Sequence, residues 1–177
     1  MDLVFEPWPK TPRLFDLKGV VVTEKIDGTN ACVIIGEDGD IGAQSRNRLI
    51  FPTVDNYGFA AWVWDNRDGL AETLGPGRHY GEWWGRGIQR GYDLPERRFS
   101  LFNTEKWGHF AEEAPPVPGL GVVPVLYDGP FSTDAINGVS LDLVLNGSKV
   151  APGYKRPEGV CVYHRAAARV FKVIIDK

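Results

Sequence analysis

The sequence predicts an α+β fold, with mostly antiparallel sheets arranged around a cleft. Three observations lead there. Short runs rich in β-branched residues recur between Gly, Pro and Asp-Gly breaks, only two or three stretches carry helical spacing, and strands and helices do not alternate as βαβα. A length of 177 residues fits a single domain, residues 1–177, large enough to bury a core without disulfides or metals.

The elements follow in order. Residues 1–18 are broken by Pro7, Pro9 and Pro12 and read as an irregular arm, with Leu14, Phe15 and Leu17 as its anchors on the core. Residues 19–24, 31–35 and 41–45 read as three strands of a meander, with Asp27-Gly28 and residues 36–40 as the turns. Residues 55–74 space Phe59, Ala60, Trp62, Val63, Leu70 and Leu74 at a helical period, and Gly75-Pro76-Gly77 stops that helix. Strands are expected at 78–85, 97–104 and 122–127, with a short helix at 104–111. A second long helix at 132–146 has Ser132 as its N-cap and Gly147 as its stop. Two closing strands, 160–164 and 168–175, bring the count to eight.

Composition narrows the function classes. Hydrophobic residues make up 43% and charged residues 24%, as in an ordinary globular protein. No apolar run is long enough to span a bilayer, and the N-terminus shows no signal peptide, so a cytoplasmic location without membrane association is expected. Cys32 and Cys161 lack CxxC spacing and His partners, which argues against zinc and for two buried thiols in a reducing compartment. The net charge of −3 hides a gradient. Residues 1–77 carry seven Lys/Arg against twelve Asp/Glu, net −5, while residues 148–177 carry seven against two, net +5. Such a surface does not bind nucleic acid indiscriminately, but a basic groove can.

The richest stretch is Glu24-Lys25-Ile26-Asp27-Gly28-Thr29-Asn30. A lysine attacks only when it is not protonated, and burial or a neighbouring cation favours that state. Lys25 ends an apolar strand, faces a second apolar run across a turn, and has Asp27 two residues away. A polar hairpin tip would have the same short pattern, so the residues downstream decide between the two.

The stretch resembles the nucleophile motif of the covalent nucleotidyltransferases: ATP-dependent DNA and RNA ligases and mRNA-capping enzymes. Its extended form is most similar to the RNA ligase 2 and RNA-editing ligase group. Later motifs of that family appear here in order. They are Arg46 in Ser45-Arg46-Asn47-Arg48, Glu82 in Tyr80-Gly81-Glu82-Trp83-Trp84-Gly85, Phe102 in Phe99-Ser100-Leu101-Phe102-Asn103, Glu158 in Pro157-Glu158-Gly159-Val160, and Lys172 in Phe171-Lys172-Val173-Ile174. The last motif carries a second lysine in the family. Ile174 stands in its place, and Lys177 is out of step with it. Lys155, Arg156 and Arg169 are the cations left to compensate.

The resemblance implies an ATP-grasp-like ligase adenylation core with a nucleotide cleft. It also implies an ATP-dependent RNA ligase activity in which Lys25 takes AMP from ATP and passes it to a 5′-phosphate, which a 3′-hydroxyl then joins. Lys25, Glu158 and Lys172 would be catalytic. Glu24, Ile26, Asn30, Arg46, Glu82, Phe102 and Lys172 would hold the nucleotide. Asp27 and Glu158 would hold Mg²⁺ or Mn²⁺, hard cations that prefer oxygen. Phe99 and Phe102 lie three apart and face opposite ways on a strand, so one stacks on the base while the other packs in the core.

The partner would be RNA with 5′-phosphate and 3′-hydroxyl ends, nicked duplex included. Arg86, Arg90, Arg97 and Arg98, interleaved with Trp83, Trp84 and Tyr92, suggest a place for it. With few residues after Lys172, no C-terminal OB-fold is expected, and a homodimer or partner protein is the expected replacement for that module. Other readings of the same residues are a DNA-nick ligase, a GTP-using capping enzyme, and a nucleotide- or nucleic-acid-binding module without turnover.

Overall fold

The computed structural model describes residues 19–175; the expected anchors Leu14, Phe15 and Leu17, and Lys177, lie outside them. Among these residues two sheets form, with four α-helices around them. The first sheet orders its strands β10-β9-β1-β8, where β1 is Val20–Lys25, β8 Val125–Gly129, β9 Gly159–His164 and β10 Arg169–Ile174. The second runs β4-β3-β2-β5-β6-β7, from β2 Thr29–Ile35, β3 Ile41–Ser45, β4 Leu49–Ile50, β5 Gly77–Gly85, β6 Arg97–Leu101 and β7 Leu120–Val122. Every pairing is antiparallel except β6 with β7.

Each sheet buries one face under helices. Ala31, Val33, Ile35, Trp83, Phe99 and Leu101 face α1 (Phe59–Asp65) and α2 (Arg67–Leu74) in the larger core. Val20, Val22, Val160 and Val162 face Ile136 and Leu143 of α4 (Thr133–Asn146). Ser132 caps α4 by accepting the Ala135 N–H at 3.2 Å, and Gly147 follows its end at φ 86°. A third cluster, Ile26, Trp84, Tyr92, Val123, Ala151 and Tyr154, lies behind the junction of the sheets.

The expected meander is corrected. β2 and β3 do pair, but β1 and β2 are consecutive strands of different sheets. The segment between them is not a hairpin turn because other elements take its polar groups. Asp27 N–H donates to the Tyr92 hydroxyl at 2.8 Å, and Gly28 N–H donates to Glu82 Oε1 at 3.1 Å. Gly28 passes so close to β5 that a Cβ there would meet the Trp83 carbonyl oxygen at 2.4 Å and the Trp84 Cβ at 2.8 Å.

The strand expected at 122–127 also divides between sheets, into β7 and β8, at Val123-Pro124. Proline cannot donate to a ladder, and the Pro124 carbonyl accepts Glu24 N–H instead. β4 and β7, too short for a sequence pattern, raise the strand count to ten among the described residues.

The helix expected at 55–74 breaks at Asn66 (φ −110°, ψ 15°), whose side chain donates to the Trp62 carbonyl at 2.8 Å. Asp55 lies outside the helix and caps it, accepting from Ala60 N at 2.8 Å and Ala61 N at 3.0 Å. The short helix at 104–111 is α3 (Thr104–Trp107) followed by a 3-10 turn.

The close approach at Gly28 yields a stability prediction. Gly28→Ala should lower unfolding free energy by about 1–3 kcal/mol, because backbone and core must shift to admit one methyl group. Urea unfolding measures it, and a midpoint equal to wild type would contradict the tight packing described.

Candidate functional site

Lys25 is the last residue of β1, where the chain leaves one sheet for the other. Register places it opposite Gly159 of β9, which lies opposite Ile174 of β10. Two residues back, Thr23, Cys161 and Lys172 form a row across the same strands. Side chains alternate along a strand, so Thr23, Lys25, Cys161 and Lys172 share a face, and Glu24 and Ile26 do not. The Lys25 Nζ lies 2.5 Å from Glu158 Oε2, and both side chains are largely shielded from solvent.

The second sheet contributes from β2, β5 and β6. Asn30 is opposite Glu82, and Glu82 opposite Ser100. Glu82 is only 8% exposed and accepts from Gly28 N at 3.1 Å and Asn30 Nδ2 at 3.2 Å. Burial raises its pKa to about 7. The Lys25 charge and the Gly28 N–H pull against that shift, and the nearby Glu158 and Asp27 carboxylates add to it. Burial also pushes up the Cys161 thiol, which feels Lys25, Glu82, Glu158 and Lys172. Cys161 shares a face with Lys25 and Lys172, Lys25 reaches Glu158, and Glu82 stands on the second sheet.

Other expected residues have different surroundings. Phe99 is buried with the aromatic residues of α1, and Phe102, just past β6, is 42% exposed, so Phe102 is the one open to a base. Arg46 is exposed in the β3–β4 turn. Ala31 pairs with Ser45, which sets Arg46 at the Asn30 end of the sheet. Lys172 is exposed on the Lys25 face. Ile26 belongs to the cluster behind the junction.

Glu24, expected at the nucleotide, is bonded here as a structural clamp. It is 1% exposed and accepts from Ser148 Oγ at 2.6 Å, Lys149 N at 2.7 Å and Val150 N at 3.1 Å. Three donors satisfy a carboxylate whose burial is otherwise very unfavourable.

Asp27, expected at the metal, accepts from Arg90 Nε at 2.9 Å through its Oδ2. Among the described residues, no group of three or more His, Cys, Asp or Glu side chains is arranged to hold a metal.

The arginines and aromatics expected to form an RNA surface separate. Trp83, Trp84 and Tyr92 are all buried. Arg97 donates to the carbonyls of Arg86 and Tyr57, Arg98 pairs with Glu96, and Arg90 turns inward to Asp27. Of the compensating cations, Lys155 donates to the Asn146 carbonyl and the Arg156 guanidinium lies over the Tyr154 ring. Arg169 pairs opposite His164, at the far end of β10 from Ile174. The sequence shows no sign of Ser148 as a partner of Glu24, and it suggests Tyr92 for an RNA surface, because each acts through a partner far away in the chain.

A sequence model of RNA ligases matches residues 18–174. The chain belongs to the RNA ligase family. The fold agrees with that membership. A Naegleria gruberi RNA ligase variant solved without ligand is similar at a TM-score of 0.65 and 23% identity, over 89% of this chain and 49% of that one. Another variant of that RNA ligase, solved with ATP and manganese, gives 0.64 and 20% over the same shares. A third, also with ATP and manganese, gives 0.63 and 19%, over 98% of this chain and 57% of that one. The chain thus spans about half the length of these relatives. No functionally curated protein matches it. No helix among the described residues is long and apolar enough to cross a membrane.

The raised pKa of Glu82 sets a pH dependence. The folded state holds this proton up to about pH 7, whereas an unfolded carboxylate releases it near its ordinary value of 4.5. Stability from this group is therefore lost as pH rises through that window. Glu82→Gln should gain on wild type across it, reaching roughly 3 kcal/mol above pH 7. Thermal melts of both proteins at a series of pH values provide the comparison, and parallel stability curves would contradict the assignment.

Proposed function

We propose that this chain is the nucleotidyltransferase core of an ATP-dependent RNA ligase, carrying AMP covalently on Lys25. The observation behind this reading is the Lys25–Glu158 contact at 2.5 Å, with both charges acting on Glu82 of the second sheet. The Lys25 amine attacks the α-phosphorus of ATP, forming a P–N bond as the bond to pyrophosphate breaks. Glu158 is hydrogen-bonded to Nζ and takes the proton that the amine must shed. A 5′-phosphate oxygen of RNA then displaces Lys25 from phosphorus, which restores the amine and leaves AMP on the strand. A 3′-hydroxyl attacks the capped phosphate and releases AMP as the strands join.

Other residues bind and orient. Phe102 offers its ring to adenine. Glu82, held by Gly28 and Asn30, faces the ribose, and Arg46 stands at the same end of the sheet for sugar or phosphate. Lys172 shares the face of Lys25 and neutralises phosphate charge. Ile174 occupies the row of Lys25 itself, so a lysine is absent from the position nearest the nucleophile. A divalent cation would enter with the nucleotide, held by phosphate and water, as Mg²⁺ and Mn²⁺ commonly are.

Wild-type protein incubated with labelled ATP and Mg²⁺ or Mn²⁺ should retain label through a denaturing gel, and a chase with 5′-phosphorylated RNA should move that label to the RNA. Glu158→Gln should slow the labelling by about 100-fold or more. No label with either metal would overturn the proposal. Equal labelling from GTP would favour a capping-type enzyme, and a chase answered only by nicked DNA would favour a DNA ligase.

A further inference from the structure

We propose that the loop at residues 85–93 is a positioning device for the nucleophile, with Arg90 as its working part. The inference rests on the reading of Lys25 as the nucleophile. It starts from an unfavourable backbone. Six residues in this stretch have positive φ: Gly85, Gly87, Gln89, Gly91, Tyr92 and Asp93. Gln89, Tyr92 and Asp93, at 45°, 53° and 55°, are three of the five non-glycine residues with positive φ among those described. Left-handed backbone is disfavoured for residues with a Cβ, and it persists only where the surroundings over-determine it.

The strained conformation places two groups. Tyr92 is buried edge-on to Trp84 and against Tyr154, and its hydroxyl accepts the Asp27 N–H at 2.8 Å. Arg90 sends Nε to Asp27 Oδ2 and Nη1 to the Arg156 carbonyl, both at 2.9 Å. Asp27 is two residues after Lys25, and Arg156 is two residues before Glu158. Arg90 therefore closes a ring: Lys25 to Asp27 along the chain, across Arg90 to Arg156, through Pro157 to Glu158, and back to Lys25 at 2.5 Å.

Pro157 fixes one backbone angle of that ring. A guanidinium can serve two acceptors in a fixed fork, which an ammonium cannot. Arg90 acts through Asp27 and the Arg156 carbonyl. It fixes the backbone beside Lys25 and Glu158, and so the distance between nucleophile and proton acceptor.

Arg90→Lys keeps the charge but loses the fork, and Tyr92→Phe removes one hydroxyl. The first measurement is acetylation by limiting acetic anhydride, mapped by mass spectrometry, with Lys106 as internal reference. In both variants the ratio of Lys25 to Lys106 labelling should rise about threefold as the Lys25–Glu158 contact loosens. The second is single-turnover adenylylation, which should slow by about tenfold or more while ATP affinity stays within about twofold. Unchanged acetylation ratios in folded variants would overturn the proposal, as would a rate loss accounted for by weaker ATP binding. If Arg90→Lys fails to fold, Tyr92→Phe decides. If wild-type protein takes no AMP, the ligase reading fails on its own, and the acetylation ratio still decides whether the loop positions Lys25.

Discussion

The Lys25–Glu158 contact joins residues 133 positions apart, and the two sheets are arranged around it. Lys25 is where β1 stops pairing with β9, and Glu158 directly precedes β9, so one ladder aligns both. Beyond Lys25 the chain cannot continue the same sheet. Gly28 passes against the Trp83 carbonyl and the chain joins the second sheet at Thr29, opposite Trp83. The crossing point of the backbone and the Lys25 amine are thus separated by only a few residues. A change in the packing of either sheet alters the surroundings of this amine.

Electrostatics reinforce that dependence. Glu24, Asp27, Glu82 and Glu158 lie within a short stretch of space and have different settings. Glu24 is saturated by Ser148, Lys149 and Val150, Asp27 is paired with Arg90, Glu158 is paired with Lys25, and Glu82 is pushed toward neutrality by burial. Glu24 and Glu82 therefore accept backbone N–H groups, whereas Asp27 and Glu158 are held by cationic side chains. A triphosphate bound at Lys25, as proposed, would add negative charge beside Glu82 and Glu158 and call for cations nearby. In that proposal Lys172 and Arg46 supply them, and Ile174 leaves the Lys25 row without a second lysine.

Much of this was legible in the chain because it depends on short-range pattern. The strands around Lys25, α4 with its Ser132 cap and Gly147 stop, and the opposed faces of Phe99 and Phe102 follow from alternation, capping and period. What stayed hidden depends on partners distant in sequence. Asp27-Gly28 has the composition of a hairpin turn, and only Tyr92 and Glu82, more than fifty residues on, make it a crossing between sheets. Glu24 looks like a cleft carboxylate until the loop after α4 folds onto it. Arg90 looked like one of several surface arginines, because nothing local shows that a left-handed loop turns it inward. Trp83 and Trp84 read equally well as core or as a stacking surface, and the cores on both sides of β5 claim them.

The central claim is that Lys25, and no other residue, bonds to the α-phosphorus. Peptide mapping at alkaline pH, after incubation with ATP and a divalent metal, tests it most directly. The account predicts AMP on the peptide containing Lys25, with fragment ions assigning it to that side chain. AMP on a different residue would contradict the account, as would full occupancy in a Lys25→Ala protein.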